Sequence, residues 1–232
     1  MIIVAVFLSA LAAIAIWYLA GQNLAAKPWL EQGVIGDLTD PDERQPLLAK
    51  MGLRIFLAVV GVLFALLASA YAMRAASSDW QSAPMPRVLW LNTGVLVLSS
   101  LALQAADFFA RRRETERVRF FLLVGACAAV LFLAGQFWAW RQFAAAGYFL
   151  STNPANSFFY LITGVHGAHL AGGLIALAAT VARAHGDIAA AQSGLRLCAI
   201  YWHFMLVVWL LLFALLAGWA ADIVVICRGL VS

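Results

Sequence analysis

Charge is scarce in this chain of 232 residues: Asp, Glu, Lys and Arg together supply 11% of it, against roughly 25% in a typical soluble domain. With 65% of residues hydrophobic and a mean hydropathy of +0.91, there is too little polar surface to cover a globule in water. A soluble enzyme and a disordered protein are excluded on that ground. Cysteine is scarcer still. Cys127, Cys198 and Cys227 fit no zinc or disulfide spacing and have apolar neighbours, so they read as buried, inert thiols, and a secreted disulfide scaffold is excluded. What the apolar runs lack most is acid: of eleven Asp and Glu, only Asp107 and Asp222 touch such runs, at their ends. Proton and ion relays in membranes use ionisable groups at depth. A proton pump, an ion carrier or a carboxylate-gated channel is therefore a poor fit. Nucleotide-binding loops and nucleophile constellations are missing as well, and nothing points to a nucleic-acid partner.

Long apolar runs are what the sequence has in abundance. A hydrocarbon core about 30 Å thick takes about 20 apolar residues of helix at 1.5 Å each. Six runs qualify: Ile2–Ala20, Leu53–Met73, Leu89–Phe109, Phe120–Trp140, Phe158–Ala182 and Leu197–Ala221. None shows the alternation of a barrel strand. The expected fold is all-α, a polytopic transmembrane helix bundle of six spans. The first run lacks the basic start and the cleavage context of a signal peptide, so it is expected to be a retained span. Residues 21–52 carry Pro28, Pro41, Pro46 and five acids, and read as a solvated loop or a docking segment for a partner. No transporter-like internal repeat is evident.

Basic residues set the orientation. The segment from Arg111 to Arg119 holds five arginines; placed on the cytoplasmic side, it brings eleven of the fifteen basic residues to that side and leaves Arg74, Arg87, Arg141 and Arg228 on the other. Both termini then lie outside. Trp80, Trp90, Trp138, Trp140 and Trp219 fall near the outer boundary, Trp17 and Trp202 near the inner one, as amphipathic rings favour.

Three histidines lie inside the runs. His166 and His169 are three residues apart, and so on one helix face, and His203 is on the last run. Neutral imidazoles can ligate haem or a metal. Counted from the inner end at 1.5 Å per residue, His203 lies about 10 Å deep, His169 about 20 Å and His166 about 25 Å. That separation favours interhelical hydrogen bonds or headgroup contact over a shared ligand set, so neither a metal site nor a catalytic residue is expected. Gly164, Ala168, Gly172 and Ala176 recur every fourth residue, a stripe on which helix backbones can approach closely. Asn92, Thr93, Ser99, Ser100, Gln104, Gln136 and Thr163 need partners on neighbouring helices, because lipid offers none.

Four ordered motifs across roughly residues 52–221 resemble subunit III of the haem–copper oxidases, the cytochrome c oxidase subunit III family. Leu91-Asn92-Thr93 with Ser99-Ser100 is similar to the family's L-N-T…S-S pattern, and Gly135-Gln136-Phe137 with Trp140 to its G-Q…W end. Phe159-Tyr160 followed by Thr163-Gly164-Val165-His166-Gly167-Ala168-His169 resembles F-Y-x-x-T-G-x-H-G-x-H. Tyr201-Trp202-His203-Phe204 with Val208-Trp209 resembles Y-W-H-F-V-D-x-V-W. Two acids of the family pattern are replaced: Val60 stands where the family usually has a glutamate, and Leu206 where it has an aspartate.

The resemblance implies a five-helix subunit III-like unit at 51–232, preceded by an extra span and acidic loop at 1–50. It implies a non-catalytic accessory subunit of an aerobic terminal oxidase of the bacterial plasma membrane, which reduces O₂ to water with electrons from cytochrome c. Haem and copper then belong to partner subunits, the chain packs on subunit I beside subunit II, and it binds phospholipid and supports stability and proton uptake. Carried onto these positions, His203 with Arg196 and Trp202 would contact lipid, while His166, His169, Gly164, Gly172, Asn92 and Gln136 would serve packing and hydrogen bonding. The alternatives are the matching subunit of a quinol oxidase, a nitric-oxide-reductase accessory subunit, a stand-alone transporter and a haem-binding membrane protein.

Overall fold

In the computed structural model, residues 41–75, 77–78, 80–81, 84–183 and 188–218 are described, and every regular element among them is helical. The helices are α1 (Pro41–Arg74), α2 (Val88–Arg111), α3 (Thr115–Ala145), α4 (Pro154–Arg183) and α5 (Ile188–Leu216). All five are long and apolar enough to cross a membrane. The all-α expectation holds, but the span count is corrected: among the described residues, five helices are long and apolar enough to cross a membrane, not six. The expected run Ile2–Ala20 lies outside the described residues. The count of six rested on apolar length, which is necessary for a span but not sufficient.

Each helix begins before the apolar run that announced it, since apolarity marks the hydrocarbon depth and not the first turns of the helix. α1 begins at Pro41, so residues 41–52, read from sequence as part of a connection, are helical. Proline needs no amide partner at the first helical position. α4 has the same logic. Asn153 Oδ1 accepts the Ala155 amide at 3.1 Å, an N-cap directly before Pro154. α2 ends with the Glu114 amide donating to the Phe109 carbonyl at 3.1 Å and the Arg113 amide to that of Ala110 at 3.1 Å. That is a Schellman closure, with Arg113 at φ 59° in the left-handed position that glycine usually fills.

Of the described residues, those up to Ala72 belong to one compact unit and those from Met73 onward to a second. In the first, the buried residues Val60, Phe64 and Ala68 fall on one face of α1 at four-residue spacing. In the second, α3 packs against α2 and α4, and α5 packs against α2 and α4, a closed ring of four helices. Leu96, Phe132, Ile162, Leu170, Trp202 and Trp209 are fully buried inside it. The outward face is equally apolar, with Leu91, Leu131 and Ile175 largely exposed, as a lipid-facing surface requires. Cys198 is buried, as the sequence implies, but Cys127 is exposed on the outer face of α3. Apolar neighbours in a lipid-spanning helix do not report which side a residue faces.

Candidate functional site

Glycine and small polar side chains decide where the four helices of the second unit touch. Between α2 and α3, Ser99 donates from its hydroxyl to the Gly125 carbonyl at 2.7 Å, and Asn92 donates its amide to the Phe132 carbonyl at 3.2 Å. The Asn92 side chain lies so close against Gly135 that a Cβ there would collide with its amide group. Only glycine fits there.

Between α2 and α5, two indoles and one imidazole meet the polar side chains of α2. Trp209 Nε1 donates to Thr93 at 2.9 Å, and Trp202 Nε1 donates to Ser99 at 3.0 Å. His203 is held at both nitrogens, by Gln104 Oε1 at 2.8 Å on Nε2 and by the Ser100 hydroxyl on Nδ1. Since an amide oxygen only accepts, Nε2 carries the proton and Nδ1 accepts from Ser100. Neither nitrogen is left for another ligand.

On the α4 side, Trp140 Nε1 donates to Thr163 at 3.0 Å, and Thr163 donates to the Phe159 carbonyl of its own helix at 2.6 Å. His166 is wholly buried. Its ring lies 5.8 Å from that of Phe132 and 5.0 Å from that of Trp209, joining α3, α4 and α5. The His169 imidazole bonds the Val165 carbonyl through Nδ1 at 2.8 Å, and its own carbonyl accepts Tyr201 OH at 2.7 Å. Gln136 is buried, and its amide has no hydrogen-bond partner among the described residues.

Chemically, this arrangement holds helices together and activates nothing. Among the described residues, no three His, Cys, Asp or Glu gather to hold a metal ion. The three intramembrane histidines are spent in separate contacts. Residues 50–221 match the family described as Cytochrome c oxidase subunit III, and that stretch contains nearly all of the five helices.

The chain belongs to the cytochrome c oxidase subunit III family.

Similar proteins bear this out along their length. A protein named Cytochrome c oxidase subunit 3 from Thermostichus vulcanus is 28% identical over 184 residues, covering 76% of this chain and 90% of that one. Another of the same name from Synechocystis is 28% identical over 210 residues, covering 84% and 89%. A Probable cytochrome c oxidase subunit 3 from Nocardia farcinica is 30% identical over 177 residues, covering 73% and 87%. As a subunit III, the chain is a multi-pass membrane protein and a non-catalytic accessory part of the oxidase.

The subunit III motifs fall on the seams just described. Asn92, Ser99, Ser100, Gln136, Thr163 and His166 are all buried. Of the residues expected at a lipid, Trp202 is fully buried against Ser99, inside the helix bundle. His203 is turned to α2, and Arg196 is exposed. A Cβ on Gly164 would make ordinary contact with Trp140 at 3.5 Å, whereas one on Gly172 would meet nothing within 4 Å. Ala168, Gly172 and Ala176 face outward. The close approach of α4 to α5 comes from the neighbouring Gly173, where a Cβ would lie 2.5 Å from the Tyr201 ring. Gly173, Gly125 and Gly194 went unnoticed in the sequence, although a glycine inside a long apolar run is itself the signal of a tight crossing. At the positions where the family usually carries acids, Val60 is buried and Leu206 half-buried.

Proposed function

We propose that the chain packs on the haem- and copper-bearing subunit I, beside subunit II, of a terminal oxidase supplied by cytochrome c in a bacterial plasma membrane. The family match across residues 50–221 is the observation that supports this reading, and the relatives' names, which specify cytochrome c oxidase and not a quinol enzyme, favour the electron donor. O₂ is reduced in the partner subunits. The part of this chain is to brace the catalytic subunit, hold phospholipid and sustain proton uptake during turnover. Arg196 is the residue best placed for a headgroup, being exposed two turns before His203 on α5. Arg196 and the arginines after α2 face the cytoplasm in this reading, as the distribution of basic residues favours.

Deleting the chain from the oxidase tests the proposal. The depleted enzyme is expected to start consuming O₂ at close to the normal rate and then to lose activity sooner than the complete one. Loss of all activity at the outset with haem fully incorporated, or an unchanged lifetime, would overturn it.

A further inference from the structure

The turn between α2 and α3 concentrates five arginines within nine residues, and their partners are unequal. Arg111 pairs with the buried Asp107, Arg117 with Glu114 at 3.0 Å and Arg119 with Glu116 at 3.7 Å. That leaves Arg112 and Arg113, both exposed, as the two arginines of the turn with no carboxylate partner among the described residues. The guanidinium groups do not simply project into water. Arg112 lies over the Phe108 ring at 4.2 Å and Arg117 over Phe109 at 5.1 Å, within cation–π range. Phe108 is itself an exposed ring on a membrane-spanning helix. Stacking on a lipid-facing ring draws the charge back from water to the level where the apolar surface ends, and that is the headgroup layer.

Arg113 adds an independent sign. It occupies the left-handed position of the Schellman closure at φ 59°, where glycine would sit without strain and an arginine does not. A charged residue kept at a strained site is a pointer to use.

We propose that the α2–α3 turn is a binding site for anionic phospholipid headgroups, with Arg112 and Arg113 as its phosphate-binding groups and Phe108 as the platform that sets the depth of Arg112. An acidic soluble partner would favour guanidinium groups extended into water; the stacked geometry favours a membrane phosphate. The site is separate from Arg196 and does not depend on the packing of the chain on subunit I.

The test uses the full chain in nanodiscs of phosphatidylcholine with a minor share of phosphatidylglycerol, counting by native mass spectrometry the lipid that stays on the ejected protein. Phosphatidylglycerol is expected to be enriched among the retained lipids. Arg112→Gln and Arg113→Gln are each expected to lower the enrichment about fivefold, the effect of one basic residue at a charged surface. Phe108→Leu should lower it too, with every charge intact, and Arg141→Gln on α3 should leave it unchanged. Equal enrichment in the two turn variants, or an equal loss with Arg141→Gln, would overturn the proposal. So would displacement of the lipid by inorganic phosphate beyond that by chloride at the same ionic strength, which makes a free anion the occupant. Capture of a poly-glutamate peptide without any preference between the two lipids would also overturn it, by making the surface a protein contact.

Discussion

Ser99 shows how much one small polar side chain can do in lipid. Its hydroxyl donates to the Gly125 carbonyl on α3 and accepts the Trp202 indole on α5, so one oxygen joins three helices at a fully buried point. With no water to replace either bond, Ser99→Ala leaves the Trp202 N–H unsatisfied in the core. Interhelical hydrogen bonds in membranes are worth about 0.6 kcal/mol on average and up to about 1.7 kcal/mol each. Ser99→Ala is therefore expected to cost about 1–2 kcal/mol, read as a lower thermal midpoint of the detergent-solubilised chain. An unchanged midpoint would mean that the indole finds another acceptor.

At the scale of the helices, two glycines separate a packing role from an open position. A Cβ at Gly135 collides with the buried, hydrogen-bonded Asn92, while a Cβ at Gly172 meets nothing within 4 Å. Gly135→Ala is expected to push α2 and α3 apart at a cost of about 1–3 kcal/mol, as overpacking does. Gly172→Ala is expected to be neutral, or stabilising by up to about 1 kcal/mol through helix propensity. Thermal unfolding of the two variants side by side checks the contrast.

Those glycines also mark how far the helices could be understood from sequence. The runs behind α1 to α5 were plain, since length and apolarity are written along the chain. Which face each helix buries was not. A soluble helix is apolar on one side, but here the outward side is apolar as well, as Leu131 and Ile175 show. Only the small and polar residues carry the facing, and Gly172 and Gly173 are adjacent, separated by one helical step of about 100°. Four-residue spacing picked out the exposed member of the pair. Polar residues were the better guide: Asn92, Ser99 and Thr163 were expected to find partners on other helices and do. The double engagement of His203 was not readable, because it depends on Ser100 and Gln104, about a hundred residues earlier.

For the whole molecule, the scarcity of charge takes on a more specific meaning. Val60 and Leu206 stand where the family usually has acids, and the polar groups that are buried go largely into seams between helices. The part played by such a chain in O₂ reduction is to support a catalytic partner. The match over residues 50–221 implies an oxidase partner, and co-isolation tests that most directly. The chain is tagged, drawn from its own membranes in mild detergent, and the reduced-minus-oxidised absorption spectrum of the eluate is recorded. The expected result is a haem spectrum with copper in stoichiometric amount, both carried by a co-eluting larger subunit. An eluate containing the intact chain and no haem would contradict the account.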